Sequence, residues 1–86
     1  MVEYKLEFKK SASKELKALP NKELKRILQS IHQLIENPRP INSKKLSGSE
    51  RYRLRVGDYR ILYEIHDQIL IIYIIKIAHR KEVYKS

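Results

Sequence analysis

A glycine–aspartate pair between two segments of alternating polarity constrains the fold of this chain more than any other feature. The segments are RYRLRV at 51–56 and YRILYE at 59–64, with Gly57 and Asp58 between them. A Gly-first two-residue turn of type II′ joins antiparallel strands in one fixed register. The predicted cross-strand pairs are Val56–Tyr59, Arg55–Arg60, Leu54–Ile61, Arg53–Leu62, Tyr52–Tyr63 and Arg51–Glu64.

This register sorts the side chains of the hairpin onto two faces, because side chains alternate across a sheet. The apolar and aromatic residues share one face, which must pack against the core. Arg53, Arg55 and Arg60 share the other face and look away from the core. Arg55 opposite Arg60 is a like-charge pair that destabilises an ordinary sheet. An anionic ligand, a partner's carboxylates or simple solvation of the face would each account for it.

The other elements follow from the spacing of apolar residues. Alternation at 2–8 predicts a strand, and apolar spacings of three and four predict helices at 10–19 and from 21 to 35. Pro20 ends the first helix, and Asn21 is predicted to cap the N-terminus of the second. Residues 36–50 hold two prolines and a glycine and are predicted to form a loop. A last strand is predicted at 69–78.

The predicted order is β-α-α-β-β-β, in the α+β class. A two-helix hairpin is expected to pack on one face of a small, antiparallel-rich sheet. The last strand is apolar at both parities, which predicts an internal strand. With 86 residues, the chain is predicted to form a single domain over 1–86.

The composition narrows the class of partner. Nineteen Lys and Arg against ten Asp and Glu give a formal net charge of +9. This charge favours a partner such as nucleic acid, an acidic protein or an anionic membrane surface over the alternative that the protein is basic without an anionic partner.

The absence of cysteine excludes disulfides, a thiolate nucleophile and cysteine-based metal sites. The apolar run at 69–75 is far shorter than a membrane span, and the first twenty residues lack a signal peptide. We therefore expect a cytoplasmic protein that does not enter the membrane.

The segment AHRKEVYKS at 78–86 supplies the second group of candidate functional residues. RNA cleaves itself when its 2′-oxygen attacks the neighbouring phosphorus, so a catalyst needs only proton transfer and stabilisation of phosphoryl charge. Arginines can bind the phosphoryl charge, and His79 supplies an imidazole, a side chain that commonly transfers protons. Tyr84 can orient the 2′-OH or stack on a base. Exposed lysines, whose ordinary role is solvation, are candidate contacts to RNA or the ribosome: Lys44, Lys45 and Lys81.

The whole chain resembles the RelE group of bacterial toxins in the RelE/ParE superfamily. The resemblance is carried by the predicted element order, by KLSG and YRLRVGDYRILYEI, and by the ending IAHRKEVY. It implies a metal-independent, cofactor-free mRNA endonuclease of the ribosomal A site, which leaves 2′,3′-cyclic phosphate and 5′-hydroxyl ends and blocks translation. It also implies a RelB-like antitoxin that inhibits the toxin and, in complex with it, binds promoter DNA.

The resemblance further implies roles for individual residues. Arg53 and Arg55 match basic residues before the turn, Arg60 matches a phosphate-binding arginine, and Tyr84 matches a C-terminal tyrosine. Arg80 corresponds to a late arginine, with His79 beside it. The catalytic set implied by these matches is Arg53, Arg55, Arg60, His79, Arg80 and Tyr84, with no metal ligand.

Some RelE members carry lysine where this chain has Arg53 and Arg55. Because arginine stays protonated, His79 is expected to take more of the proton transfer.

Two other functions remain open at the level of sequence. A ParE-like toxin would share the fold but inhibit DNA gyrase by binding. A nonenzymatic nucleic-acid-binding module would bind RNA in a salt-dependent way without cutting it.

Overall fold

The fold is known from a computed structural model that describes residues 3–48 and 50–79. Within these residues the chain forms five strands and two helices. In chain order they are β1 (Lys5–Phe8), α1 (Lys10–Lys17), α2 (Asn21–Gln33), β2 (Ser43–Lys45), β3 (Arg51–Val56), β4 (Tyr59–His66) and β5 (Ile71–His79).

The strands form one sheet in the order β1-β5-β4-β3-β2. Neighbouring strands are antiparallel except β1 and β5, which run parallel. Both helices lie on one face, with α1 against β5 and α2 against β3. The predicted α+β class and antiparallel-rich sheet are therefore confirmed, and β5 is internal as its apolar sequence predicted. Neither helix is long and apolar enough to cross a membrane.

The central hairpin has the predicted register at every pair from Val56–Tyr59 to Arg51–Glu64. Gly57 adopts a φ of +58°, while Asp58 keeps a negative φ. This combination is that of a type II′ turn, in which only the first central residue takes a left-handed φ. The turn therefore fixes which side chains share a face.

The core lies between the helices and the inner face of the sheet. Ile27 and Ile31 of α2 are fully buried against it, which is the direct result of their four-residue spacing. Burial of each such side chain is worth about 1.5–3 kcal/mol. The sheet contributes inner-face residues that are equally enclosed: Leu54, Ile61, Tyr63, Ile72 and Ile74.

The helix boundaries differ from prediction around Pro20. Helix α1 ends at Lys17 rather than near residue 19, because the residue before a proline is disfavoured in helical conformation. Asn21 is the first helical residue of α2 and not its cap; Pro20 occupies the cap position with extended backbone and no side-chain cap bond. The Pro20 carbonyl accepts a hydrogen bond from the Leu24 N–H at 2.8 Å, so the proline itself begins the helix.

The predicted loop at 36–50 contains an additional short strand, β2. It pairs antiparallel with β3 and adds one strand to that edge of the sheet. The prediction of an uninterrupted loop is thus wrong at Ser43–Lys45. A three-residue polar strand leaves no alternating apolar pattern to read, so only its pairing with β3 defines it.

Candidate nucleic-acid interface

A basic cleft of about 410 Å³ lies on the outer face of the sheet, away from the helices. It is built where β2, β3 and β4 meet near the hairpin turn. We call it the arginine cleft, and its lining consists of Ile41, Asn42, Ser43, Lys44, Arg53, Arg55 and Arg60. No described lining residue carries a carboxylate, so this surface attracts anions.

The three predicted arginines do share this cleft, as the register required. Arg55 lies directly opposite Arg60, and Arg53 lies opposite Leu62. Their exposure differs: Arg55 is exposed, Arg53 is half-buried, and only 2% of Arg60 is accessible. The cleft therefore presents two accessible guanidiniums above a third that forms its floor.

Arg60 is the one buried charged residue in the described core. A buried guanidinium is stable only when its N–H groups are hydrogen-bonded, and Arg60 donates to the Tyr59 carbonyl at 3.3 Å. The sequence left open that all three arginines are simply solvated. Arg60 is not solvated, because it is buried. Its burial fixes a positive charge beneath Arg55.

Strand β2 brings Lys44 to the cleft but turns Lys45 away. Lys44 pairs with Arg53 and shares its face, whereas Lys45 pairs with Tyr52 on the helix-facing side. Both lysines are exposed. Of the two predicted loop contacts, only Lys44 is positioned to bind the same anion as the arginines.

Asn42 is a residue of the cleft that sequence reasoning missed. Its side-chain amide donates to the Arg55 carbonyl at 2.8 Å, and its own carbonyl accepts the Arg55 N–H at 3.1 Å. These two bonds prolong the β2–β3 pairing by one residue and hold the Arg55 backbone. Nothing in the local sequence predicts this role, because it depends on a strand whose pairing the sequence did not reveal.

A polar network holds the segment that leads into β2. Arg39 donates to the Tyr52 hydroxyl at 3.0 Å, lies over the Tyr52 ring and pairs with Asp67 at 2.9 Å. Asp67 also accepts a hydrogen bond from the Tyr4 hydroxyl at 2.6 Å. Because the Asp67 carboxylate serves both donors, its pKa lies below its usual range, chiefly through Arg39 and then Tyr4. The pKa of Tyr4 is raised by the same contact.

We expect Asp67→Asn to lower the denaturant midpoint of unfolding at neutral pH. The lowered pKa means that the stabilising contribution of Asp67 is present above the unfolded pKa of about 3.9. It is lost as the pH falls through the lower folded pKa. Urea unfolding at pH 7 and at pH 3 measures this, and the gap between wild type and Asp67→Asn should shrink at the lower pH. A gap that stays constant would show that the Asp67 charge contributes nothing.

His79 does not lie in the arginine cleft, which corrects its predicted place beside the arginines. Ala78 is the residue opposite Arg60, and His79 lies opposite Tyr59 on the helix-facing side of the sheet. The two rings meet edge to face, with centroids 5.4 Å apart and planes at 77°. His79 lines a separate depression together with Glu15 of α1.

The reason for this placement is a β-bulge in β5. Leu62 pairs with Lys76 and Tyr63 with Ile74, so Ile75 has no opposite residue. An extra residue reverses the alternation of every side chain that follows it. Without the bulge, His79 would have reached the outer face. The remaining predicted residues of the tail, Arg80, Lys81 and Tyr84, lie outside the described residues.

The basic surface ends at a carboxylate further along the outer face. Glu64 pairs with Arg51 at 3.3 Å, as the register predicted, and with His66 at 3.0 Å. The carboxylate is thus engaged with its own neighbours. The positive charge of the arginine cleft lies at the hairpin end, where an anion of the size of a phosphodiester could bind two guanidiniums and an ammonium.

Comparison with known proteins agrees with this fold. The family model for the ParE toxin of the type II toxin-antitoxin system parDE matches residues 6–84. The RelE1 protein of Methanocaldococcus jannaschii is 36% identical over 99% of both chains. The toxin RelE3 of the same organism is 35% identical over 93% of this chain and 94% of that one.

A solved structure gives the same answer for the fold. The archaeal RelE in its complex with RelB from Pyrococcus horikoshii superposes with a TM-score of 0.81 at 31% identity, covering 93% of this chain and 97% of that one. These matches define a toxin of a type II toxin-antitoxin system. The chain belongs to the RelE/ParE family and is a RelE-like toxin within it.

Proposed function

We propose that this RelE-like toxin is a ribosome-dependent mRNA endonuclease that cleaves in the A site and so inhibits translation. The observation that carries the proposal is the arginine cleft, where Arg55 faces Arg60 across the hairpin with no carboxylate among the described lining residues. Two like charges directly opposite each other repel, and an anion bound between them relieves the repulsion. A phosphodiester of the RNA backbone has the required charge and geometry.

The proposed chemistry uses the substrate's own nucleophile. The 2′-oxygen attacks the adjacent phosphorus, the bond to the 5′-oxygen breaks, and the products are a 2′,3′-cyclic phosphate and a 5′-hydroxyl. Arg53 and Arg55 hold the phosphoryl oxygens as negative charge develops, and Lys44 adds to the field. This route needs neither a metal nor a protein nucleophile. Proton transfer is assigned to the tail, with the Tyr84 phenol as the candidate. Arg80 stays protonated and is proposed to add to the positive charge on the phosphoryl oxygens, with Lys81 as an RNA contact.

The partners follow from the same family membership. RelE of Pyrococcus horikoshii forms a complex with RelB, and we propose that a RelB-like antitoxin binds this chain in the cytoplasm. Carboxylates of that antitoxin would neutralise Arg55 and Arg60 and exclude mRNA. The complex of the two proteins is proposed to bind its own promoter DNA.

Mapping of 5′ ends on an mRNA tests the proposed activity. With purified toxin and programmed ribosomes, we expect cuts at A-site codons that carry 5′-hydroxyl ends and 2′,3′-cyclic phosphate ends. Cuts should disappear when the antitoxin is added and should be far fewer on free mRNA. Toxin that arrests growth yet leaves ribosome-bound mRNA intact would contradict the proposal.

The second candidate is inhibition of DNA gyrase by binding. One observation favours it: the family model that matches residues 6–84 is described as the ParE toxin. In that case growth arrest is accompanied by DNA damage signalling, and supercoiling by purified gyrase falls as toxin is added. The curated relatives with the RelE name favour the endonuclease.

A further inference from the structure

Ile41 is an apolar residue of the arginine cleft that the proposed chemistry does not use. Its side chain is fully exposed, yet it lines the cleft together with Lys44, Arg53 and Arg55. It is the one hydrophobic side chain among the described lining residues. Because it is fully exposed, it adds no buried apolar surface to the fold. Any role of Ile41 therefore lies in its contact with what enters the cleft.

The segment that leads to Ile41 is fixed by several contacts. The Pro38 carbonyl accepts a hydrogen bond at 2.7 Å from the hydroxyl of Tyr63, a fully buried residue. The Arg39 guanidinium is held by an ion pair and by an aromatic ring. Pro38 and Pro40 restrict the backbone further, since the proline ring fixes φ. The chain therefore reaches Ile41 along a defined path.

The turn that contains Ile41 is also fixed on its C-terminal side. Ser43 donates twice to the Pro40 carbonyl, from its backbone N–H at 2.9 Å and from its hydroxyl at 2.7 Å. The first of these bonds closes a four-residue turn with Ile41 at its second position. Asn42 donates to the Arg55 carbonyl at 2.8 Å. Ile41 is thus presented by a turn that is already ordered, which lowers the entropic cost of a contact with a ligand.

The surroundings of Ile41 indicate the chemistry of that ligand. A nucleotide joins an anionic phosphate to a base whose flat face packs well against apolar side chains. A docking helix of a protein partner instead presents a row of apolar residues at i, i+3, i+4 and i+7, which requires a hydrophobic groove. The described lining of the cleft offers cations and a single hydrophobic side chain. It therefore favours a nucleotide over a protein helix as the ligand of Ile41.

We infer that Ile41 packs against the base of a nucleotide next to the phosphate that Arg53 and Arg55 bind. The inference rests on the proposed function and adds a base contact to it. A base held on Ile41 rotates less freely about its sugar, so the contact helps to orient the 2′-oxygen toward the phosphorus. Ile41 thus orients the substrate without binding charge or transferring a proton.

Binding of two short fluorescent probes to the full chain tests the base contact without cleavage. One probe is a single-stranded RNA with 2′-O-methyl riboses, which has no free 2′-hydroxyl to attack the phosphorus. The other is a phosphodiester oligomer of the same length made of abasic sugars. We expect Ile41→Ala to weaken binding of the RNA about tenfold and binding of the abasic oligomer less than about twofold. The slope of log affinity against log salt should not change, because the substitution removes no cation.

The matched control is Ile69→Ala. Ile69 is also an exposed isoleucine, but it lies in the turn between β4 and β5 and does not line the arginine cleft. Its loss should weaken binding of either probe less than about twofold. Both alanine variants should keep the wild-type midpoint of urea unfolding, since both side chains are exposed. Ile41→Leu keeps the apolar surface and should bind the RNA within about threefold of wild type.

Equal weakening of both probes by Ile41→Ala would overturn the inference, because the base would then play no part. Equal weakening of RNA binding by Ile41→Ala and Ile69→Ala would overturn it as well. Weaker binding of the antitoxin to Ile41→Ala, with RNA binding unchanged, would assign Ile41 to the protein partner instead.

Cleavage of mRNA on ribosomes separates this inference from the proposed function. We expect Ile41→Ala to slow cleavage about tenfold and Ile69→Ala to leave it unchanged. If wild type and Ile41→Ala cut mRNA at the same rate, the base contact is refuted and the endonuclease proposal stands. If the RNA probe shows the Ile41 dependence described and wild type cuts no mRNA, the base contact stands and the endonuclease proposal fails.

Discussion

Arg55→Ala is expected to reduce mRNA cleavage on ribosomes by about 10²–10³-fold, the usual cost of losing one preorganised group that stabilises transition-state charge. The same substitution should raise the free energy of unfolding by about 0.2–1 kcal/mol, because it removes the like charge opposite Arg60. If Arg55 only stabilised the fold, its loss could not slow cleavage and raise the free energy of unfolding at the same time. Rate measurements on 5′ ends and urea unfolding of the same protein give both quantities.

The matched control is Arg51→Ala on the same strand and the same face. Arg51 pairs with Glu64 at 3.3 Å and lies outside the arginine cleft. Its loss should leave cleavage unchanged and lower stability by up to about 1 kcal/mol, as for other exposed ion pairs. Arg55→Lys should recover part of the cleavage, because it keeps the charge but not the bidentate geometry. Wild-type cleavage by Arg55→Ala would refute the role of the arginine cleft.

The hairpin and its arginines were predictable because local chemistry determines them. Gly57 provides the left-handed φ, the alternation of β3 and β4 leaves one register that buries the apolar residues, and Arg55 opposite Arg60 follows. The same holds for α2, whose buried residues Ile27 and Ile31 follow the helical period. In these elements the local and the tertiary preferences agree.

The rest of the candidate site depends on how the strands pair, which no local pattern of residues reveals. Strand β2 is defined only by its pairing with β3, and Asn42 acquires its role from that pairing. The bulge at Ile75 is visible only in the pairing of β5 with β4, yet it decides which face His79 occupies. No residue type near Ile75 signals a bulge, so the sequence did not reveal that His79 lies on the helix-facing side.

The second large effect is expected from substituting Gly57, the turn residue that fixes the register of the arginines. Gly57→Ala should lower the free energy of unfolding by about 1–3 kcal/mol, since an L-residue at φ of +58° is strained. It should also slow cleavage by up to about 10²-fold at temperatures where the protein stays folded, because a shifted turn misplaces Arg55 relative to Arg60. Gly48→Ala is the control, with a φ of +67° and no atom within 4 Å of the added Cβ.

A double-mutant cycle with Arg26→Ala identifies the source of the Gly57 effect. The added Cβ would lie 2.8 Å from the Arg26 guanidinium, but that group is the far end of a flexible side chain and can move away at little cost. The coupling energy between the two substitutions should therefore stay below about 0.5 kcal/mol. Gly48→Ala should lose comparable stability without losing cleavage. If Gly57→Ala and Gly48→Ala slow cleavage equally, the effect follows general stability, and the hairpin register does not set the geometry of the arginine cleft.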